Sequence, residues 1–270
     1  MIRARKRFGQ HFLEPVWVDK VITAIDPHPD QDFIEIGPGP GALTRPLAER
    51  ARSVTAFEID RDLASALEVN APPNLTVVQG DFLERETSDF RFQISEGLRI
   101  AGNLPYNVAS AIMFKLVELH AAGVPLIDAT LMLQREVADR LVASPGTKEY
   151  GVLSILIGHA ADADMVLKLP AGAFRPPPRV LSSLVRLRFR APQPAVNDEA
   201  IFARVVQAVF TRRRKTLTNA LLALDDGSPA APRLRPAEVL TAAGIDGTRR
   251  PETLSIAEFA ILADAYVLRR

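Results

Sequence analysis

The stretch Asp32-Phe33-Ile34-Glu35-Ile36-Gly37-Pro38-Gly39-Pro40-Gly41 decides the fold. An apolar run of strand length enters a turn of alternating glycines, and residues 42–50 beyond it read as a helix. Strand, glycine turn and helix in that order open a parallel α/β unit, with the turn at the carboxyl end of its strand. Glycine there lets a ligand approach the backbone closely. The spacing is G-x-G-x-G rather than the G-x-G-x-x-G that seats a diphosphate on a helix N-terminus. Gly37 and Gly39 are therefore expected to contact a nucleoside that carries no diphosphate.

Three more strands follow the same plan. Residues 53–59 end in Glu58 and Ile59, and Glu58 lies 21 residues after Gly37. That is close to the spacing at which an acid accepts from both hydroxyls of a ribose. Residues 75–79 lead into Gly80-Asp81-Phe82, where the acid could accept from an adenine amine with Phe82 packed nearby. Residues 98–102 deliver Asn103. A parallel sheet brings all four strand ends to one edge, where open α/β sheets bind ligands. Either acid alone reads as a helix cap or a solvated charge; together they suggest one pocket. A nucleoside with a transferable group, facing an amine, describes S-adenosylmethionine.

Asn103-Leu104-Pro105-Tyr106 supplies the chemistry. The exocyclic nitrogen of adenine is a poor nucleophile because its lone pair is delocalised into the ring. Two acceptors on its N–H bonds would draw it towards tetrahedral geometry. Asn103 offers a side-chain carbonyl and Leu104 a main-chain one. Pro105 biases Leu104 to an extended conformation, which aims that carbonyl. Tyr106 offers a flat face for a base.

Composition sets the bounds. The 270 residues suffice for one large domain and a smaller one. There is no cysteine, which excludes disulfides and thiolate metal sites and fits a reducing, cytoplasmic setting. The four histidines show no ligand spacing, so no metal is expected. No apolar run is long enough for a membrane span. The net charge of +1 hides an asymmetry: residues 165–224 carry eleven cations and two acids, while residues 14–164 are strongly acidic. Such segregation suggests a polyanionic partner.

Residues 1–13 form a basic tail with interleaved Phe8 and Phe12 that could lie along RNA or close over a pocket. Helical spacing follows at 16–25 and 109–119, and a fifth strand at 130–134. Residues 150–158 are apolar throughout and fit helix or strand equally. Residues 180–190 alternate Leu187 and Phe189 with Arg186, Arg188 and Arg190, which suggests a buried face and a cationic one. Before them, Phe174-Arg175-Pro176-Pro177-Pro178-Arg179 reads as a stiff loop. Phe174 could stack on a flipped base there, with Arg175 and Arg179 on flanking phosphates. A helical stretch at 199–224 contains Arg212-Arg213-Arg214-Lys215, four further candidates for RNA contact. The division expected is a catalytic domain over 1–191 and a small helical RNA-binding domain over 192–270.

From end to end the chain resembles the bacterial small-subunit ribosomal RNA adenine dimethyltransferases. The matching stretches are RKRFGQHFL at 5–13, EIGPGPGALT at 35–44, FEID at 57–60, GDFL at 80–83, NLPYNVAS at 103–110, LQREVADRLVASPGTKEYGVLS at 133–154, FRPPPRVLSSLVRL at 174–187 and RRRKTLTNAL at 212–221. The resemblance implies a class I, Rossmann-like, S-adenosylmethionine-dependent methyltransferase: a seven-stranded, mostly parallel sheet with a small C-terminal helical domain. It implies two methyls on N6 of each of two adjacent adenines in a hairpin near the 3′ end of small-subunit rRNA. The implied partner is that rRNA in an immature 30S particle, and the protein is expected to act as a monomer. Cofactor contacts map onto His11, Leu13, Gly37, Glu58, Asp81 and Asn103, with Gln10, Gly39, Ile59 and Phe82 beside them. His11 departs from the family's usual asparagine, and Val180-Leu181 from its usual Val-Asp. A large-subunit rRNA adenine methyltransferase of the macrolide-resistance type would share the chemistry, though FRPPPRV and RRRKTL argue against it. An RNA-binding assembly factor that has kept the fold without catalysis is the other alternative. A dehydrogenase is disfavoured by the glycine spacing.

Overall fold

The computed structural model describes residues 11–90, 97–224 and 235–268. In chain order the elements are β1 (Phe12–Leu13), α1 (Pro15–Ile25), β2 (Asp32–Ile36), α2 (Thr44–Ala48), β3 (Ser53–Glu58), α3 (Arg61–Glu68), β4 (Leu75–Gln79), β5 (Leu98–Asn103), α4 (Ala109–Ala121) and β6 (Leu126–Gln134). They continue as α5 (Arg135–Leu141), α6 (Val152–Ala160), β7 (Ala161–Leu169), β8 (Phe174–Arg175), β9 (Ser182–Phe189), α7 (Glu199–Thr211), α8 (Leu217–Leu221), α9 (Pro236–Ala243) and α10 (Ile256–Val267). Two compact units result. One comprises Met1–Ala138 with Asp162–Arg190, the other Asp139–Ala161 with Ala191–Arg270. The single boundary expected after residue 191 is thus corrected: residues 139–161 join the helical unit, because Tyr150 and Ile155 belong to its apolar core.

In the first unit seven strands run in the order β4-β3-β2-β5-β6-β9-β7. β2 pairs in parallel with both β3 and β5, β3 with β4, and β5 with β6. β9 runs antiparallel to β6. All five residues of β2 are buried, as a central strand covered on both faces requires. The chain leaves β2 towards β3 and β4 on one side and later fills β5 and β6 on the other. The strand order therefore reverses at β2, and the crevice this creates lies at the carboxyl ends of β2 and β5. The cationic face expected on β9 is corrected. Arg188 and Arg190 pair with Asp164 and Asp162 of β7, and the Arg186 guanidinium donates to the Ala24 carbonyl and lies 3.6 Å from Asp128.

The second unit is helical. Tyr150, Phe202, Val206, Leu217, Leu221 and Phe259 are among its fully buried side chains. Asp198 caps α7 by accepting from Ile201 N–H, and Ser255 and Glu258 form a reciprocal capping box on α10. The ambiguous residues 150–158 belong mostly to α6. The stretch 199–224 is not one helix: α7 ends at Thr211, and Arg212-Arg213-Arg214-Lys215 occupy the turn before α8. No helix among the described residues is long and apolar enough to cross a membrane.

Candidate active site

The glycine turn leaves β2 with Gly37 at φ 69° and Gly39 at φ 58°, a region that residues with a Cβ adopt only at a cost. Gly37 N–H donates to Phe57 O at 2.9 Å, so the turn is pinned to β3. The last residue of β3 holds it from the other side. Glu58 is 3% exposed; its Oε2 accepts from Gly39 N–H and its Oε1 from Asp60 N–H, each at 2.9 Å. Burial raises the pKa of this carboxyl, and the two N–H bonds oppose the rise. A carboxylate has about four lone-pair sites, so two accepted bonds leave capacity for a ligand's hydroxyls.

The end of β5 is held by the N-terminal segment. β1 pairs antiparallel with β8, Phe12 opposite Arg175 and Leu13 opposite Phe174. This strap lays His11 across the Asn103 turn. Asn103 Nδ2 donates to His11 O at 2.7 Å, and the His11 ring stacks on Tyr106 with centroids 5.6 Å apart and planes 24° from parallel. His11 Nδ1 lies 2.7 Å from the Pro176 carbonyl. The Tyr106 hydroxyl is 2.6 Å from Ser182 Oγ, and burial raises its pKa, which keeps the phenol neutral. The Leu104 side chain is 1% exposed and anchors the turn in the core.

These pieces line one cleft. Its walls are His11, Phe12 and Leu13 from the strap, Gly37 to Pro40 with Ala42 and Leu43 from the glycine turn, Glu58 and Ile59 from β3, and Asn103 to Tyr106 from β5. Glu35 lies in the same lining. The cleft is narrow, with a cavity volume of about 70 Å³, and opens to solvent at its mouth. No lysine or arginine is among the described lining residues.

Other expected residues lie elsewhere. Asp81 is not in the cleft lining; its Oδ1 accepts from Leu83 N–H and caps the short 3₁₀ turn Phe82–Glu84. Phe82 is 4% exposed and packs edge-on against Phe57, with Phe90 beside them. The cleft lining thus joins three of the four strand ends, and the Asp81 carboxylate, at the fourth, accepts the one N–H bond from Leu83 and keeps lone-pair capacity. Phe174 is also corrected: it is 2% exposed within the core, so neither ring face is open to a base. Arg175 is exposed and ion-paired to Glu14, and Arg179 is exposed. In the second unit Arg212, Arg214 and Lys215 are exposed. Arg213 instead donates to the carbonyls of Lys148 and Thr147, which fixes that loop. Gln10 lies outside the described residues. Glu35 was missed, although a lone acid inside the apolar run Phe33-Ile34-Glu35-Ile36 was a legible signal.

Comparison with known proteins agrees with this geometry. Residues 1–262 match the family model described as ribosomal RNA adenine dimethylase. The chain is 42% identical to "Ribosomal RNA small subunit methyltransferase A" of Acinetobacter baylyi, over 98% of this chain and 93% of that one. It is 40% identical to the protein of the same name in Salmonella typhimurium, over 97% and 92%. Among solved structures, a dimethyladenosine transferase from Plasmodium falciparum superposes with a TM-score of 0.73 at 25% identity, covering 93% of this chain and 96% of that one. The 23S rRNA methyltransferase ErmE superposes with a TM-score of 0.65 at 29% identity, covering 94% and 98%. A match over nearly the whole length, on a chain whose glycine turn and Asn103 turn share one cleft, means that this protein belongs to the ribosomal RNA adenine dimethylase family.

Proposed function

We propose that the chain is an S-adenosylmethionine-dependent rRNA adenine N6,N6-dimethyltransferase that modifies two adjacent adenines in a hairpin near the 3′ end of 16S rRNA during small-subunit assembly. The names of its relatives support the substrate and the chemistry. The single observation that carries the residue roles is the tether between Asn103 and the His11 carbonyl. It commits the donor end of the Asn103 amide to the strap and leaves Oδ1 as the end offered to an incoming amine.

The cleft fits the donor on its own terms. A Cβ added at Gly37 would lie 3.9 Å from the Asn103 carbonyl and 4.0 Å from Pro105 Cδ, within the gap between the two turns. Glu58 suits vicinal hydroxyls, and the described lining residues include no lysine or arginine to hold a diphosphate. S-adenosylmethionine, when bound, supplies a methyl group on a positively charged sulfur.

Asn103 Oδ1 and the Leu104 carbonyl accept from the two N–H bonds of the target amine and favour its tetrahedral form, so they are matched to the transition state rather than the ground state. Pro105 aims the second of these acceptors. Tyr106, held by Ser182, supplies the stacking face, and its neutral phenol adds no charge. The methylated ammonium loses its proton to water, so no strong base is needed. Positioning supplies the rest of the acceleration. Arg175 and Arg179 of the first unit, and Arg212, Arg214 and Lys215 of the second, meet phosphates.

The test is transfer of labelled methyl groups to purified small and large subunits from cells lacking the modification. Label in 16S rRNA as dimethyladenosine at two neighbouring positions is the expected result. Label in large-subunit rRNA, or none in either particle, would overturn it.

A further inference from the structure

Glu35 is a carboxylic acid in the middle of a parallel sheet. It is 1% exposed, two residues before Gly37, and it lies in the cleft lining. Its Oε2 has no hydrogen-bond partner. A buried carboxyl group left half-satisfied is costly, and an aliphatic residue would fill the place without that cost. No lysine or arginine is among the described residues that line the cleft around it. Glu58 faces it from β3, Thr44 stands beside it at the start of α2, and His11 and Tyr106 are the other titratable groups in the lining. Arg45 of α2 lies by Gly41 and is not part of the lining.

We infer that Glu35 is a proton-exchanging counter-charge for the donor: it gives up a proton when a cationic ligand enters the cleft, and it takes one back when methyl transfer has discharged that cation. The inference rests on the reading of the cleft as the donor site. Burial pushes the Glu35 carboxyl up to about 8, with Thr44 pulling it partly back and the Glu58 charge adding to the rise. At neutral pH the free protein therefore carries Glu35 mostly protonated. A positive charge in the cleft favours the carboxylate, and the displaced proton goes to solvent. Transfer turns the sulfonium into an uncharged thioether. The α-ammonium that remains is balanced by the ligand's own carboxylate, so the buried Glu35 carboxylate has lost the extra positive charge on sulfur and recovers a proton from solvent. The same residue thus favours the charged donor over the spent product, so it promotes exchange between successive methylations.

Titration calorimetry of the full chain with S-adenosylmethionine and with S-adenosylhomocysteine tests this. Each ligand is run at pH 7 in buffers of different ionisation enthalpy. The donor should release up to about 0.9 proton per site, and the product far less. Donor affinity should rise by nearly tenfold between pH 6 and pH 7, while product affinity stays nearly flat. Glu35→Gln should bind the donor more weakly and release close to no proton. Equal proton counts for the two ligands in the unaltered protein would overturn the inference without any variant. So would a Glu35→Gln protein, folded by thermal melt, that still releases the full proton. Failure of both ligands to bind would instead overturn the donor-site reading itself.

Discussion

The strand β2 begins with Asp32 and nearly ends with Glu35, and the two acids have opposite surroundings. Asp32 accepts from Arg52 Nε at 2.9 Å, Arg52 Nη2 at 2.6 Å and Ser53 Oγ at 2.7 Å, and the Arg52 bond holds its carboxyl below the usual range. Glu35 keeps an oxygen without a partner, and burial holds its carboxyl far above that range. β5 repeats the contrast. Near its start, Arg99 meets Asp128 through two bonds of 2.9 Å and donates to Ile25 O, Asp26 O and Gln31 Oε1. At its end, Asn103 keeps an acceptor in hand. The amino edge of the sheet satisfies its charges internally, and the carboxyl edge leaves binding capacity unspent. Polar groups there are eased by backbone N–H groups, as at Glu58, or by staying uncharged, as burial favours at Glu35.

The contrast can be broken at either edge. The largest effect is expected from Asn103→Ala, which removes an acceptor matched to the transition state: methyl transfer to small subunits should fall about 100-fold or more, with the melting temperature nearly unchanged. At the opposite edge, Asp128→Ala strands the buried Arg99 cation. It should cost about 3–5 kcal/mol in urea unfolding, without direct effect on the cleft. Glu35→Gln should act on stability with the opposite sign. A carboxyl whose folded pKa is raised contributes stability that is lost as pH rises from the usual 4.5 through about 8. The variant should therefore melt higher than the parent at pH 9, by roughly 5 °C or more, and the gap should close towards pH 5. The smallest effect is Arg52→Gln, about 1–2 kcal/mol at neutral pH. Asp32 has a depressed pKa, so its contribution is present above the usual 3.8 and lost as the pH falls through its folded value. The variant should flatten that acid limb.

Much of the sheet was legible because its strands are apolar runs bounded by glycine and asparagine. The glycine turn, Glu58 and Asn103 fell where their strand ends predicted. Asp81 has equally good spacing, and the 3₁₀ turn that begins at the next residue, Phe82, uses one of its oxygens as a cap. That local bond was not legible from spacing alone. Phe174 was misread because prolines suggested an exposed loop, whereas its strand partner is Leu13, far off in sequence. Nothing local announces that pairing. The arginines of β9 alternated as expected, but only the fold reveals that Asp162 and Asp164 stand beside two of them. Glu35 was visible in the sequence as an anomaly, and its meaning needed the cleft.

The pairing of Leu13 with Phe174 also has a temporal consequence. The first of these residues leaves the ribosome long before the second exists. At ordinary elongation rates the wait is roughly ten to thirty seconds. During synthesis the glycine turn and β3 can form early, but the floor that steadies Asn103 cannot. The nascent enzyme therefore stays catalytically immature until the proline loop has been translated, and the order of synthesis itself delays its competence.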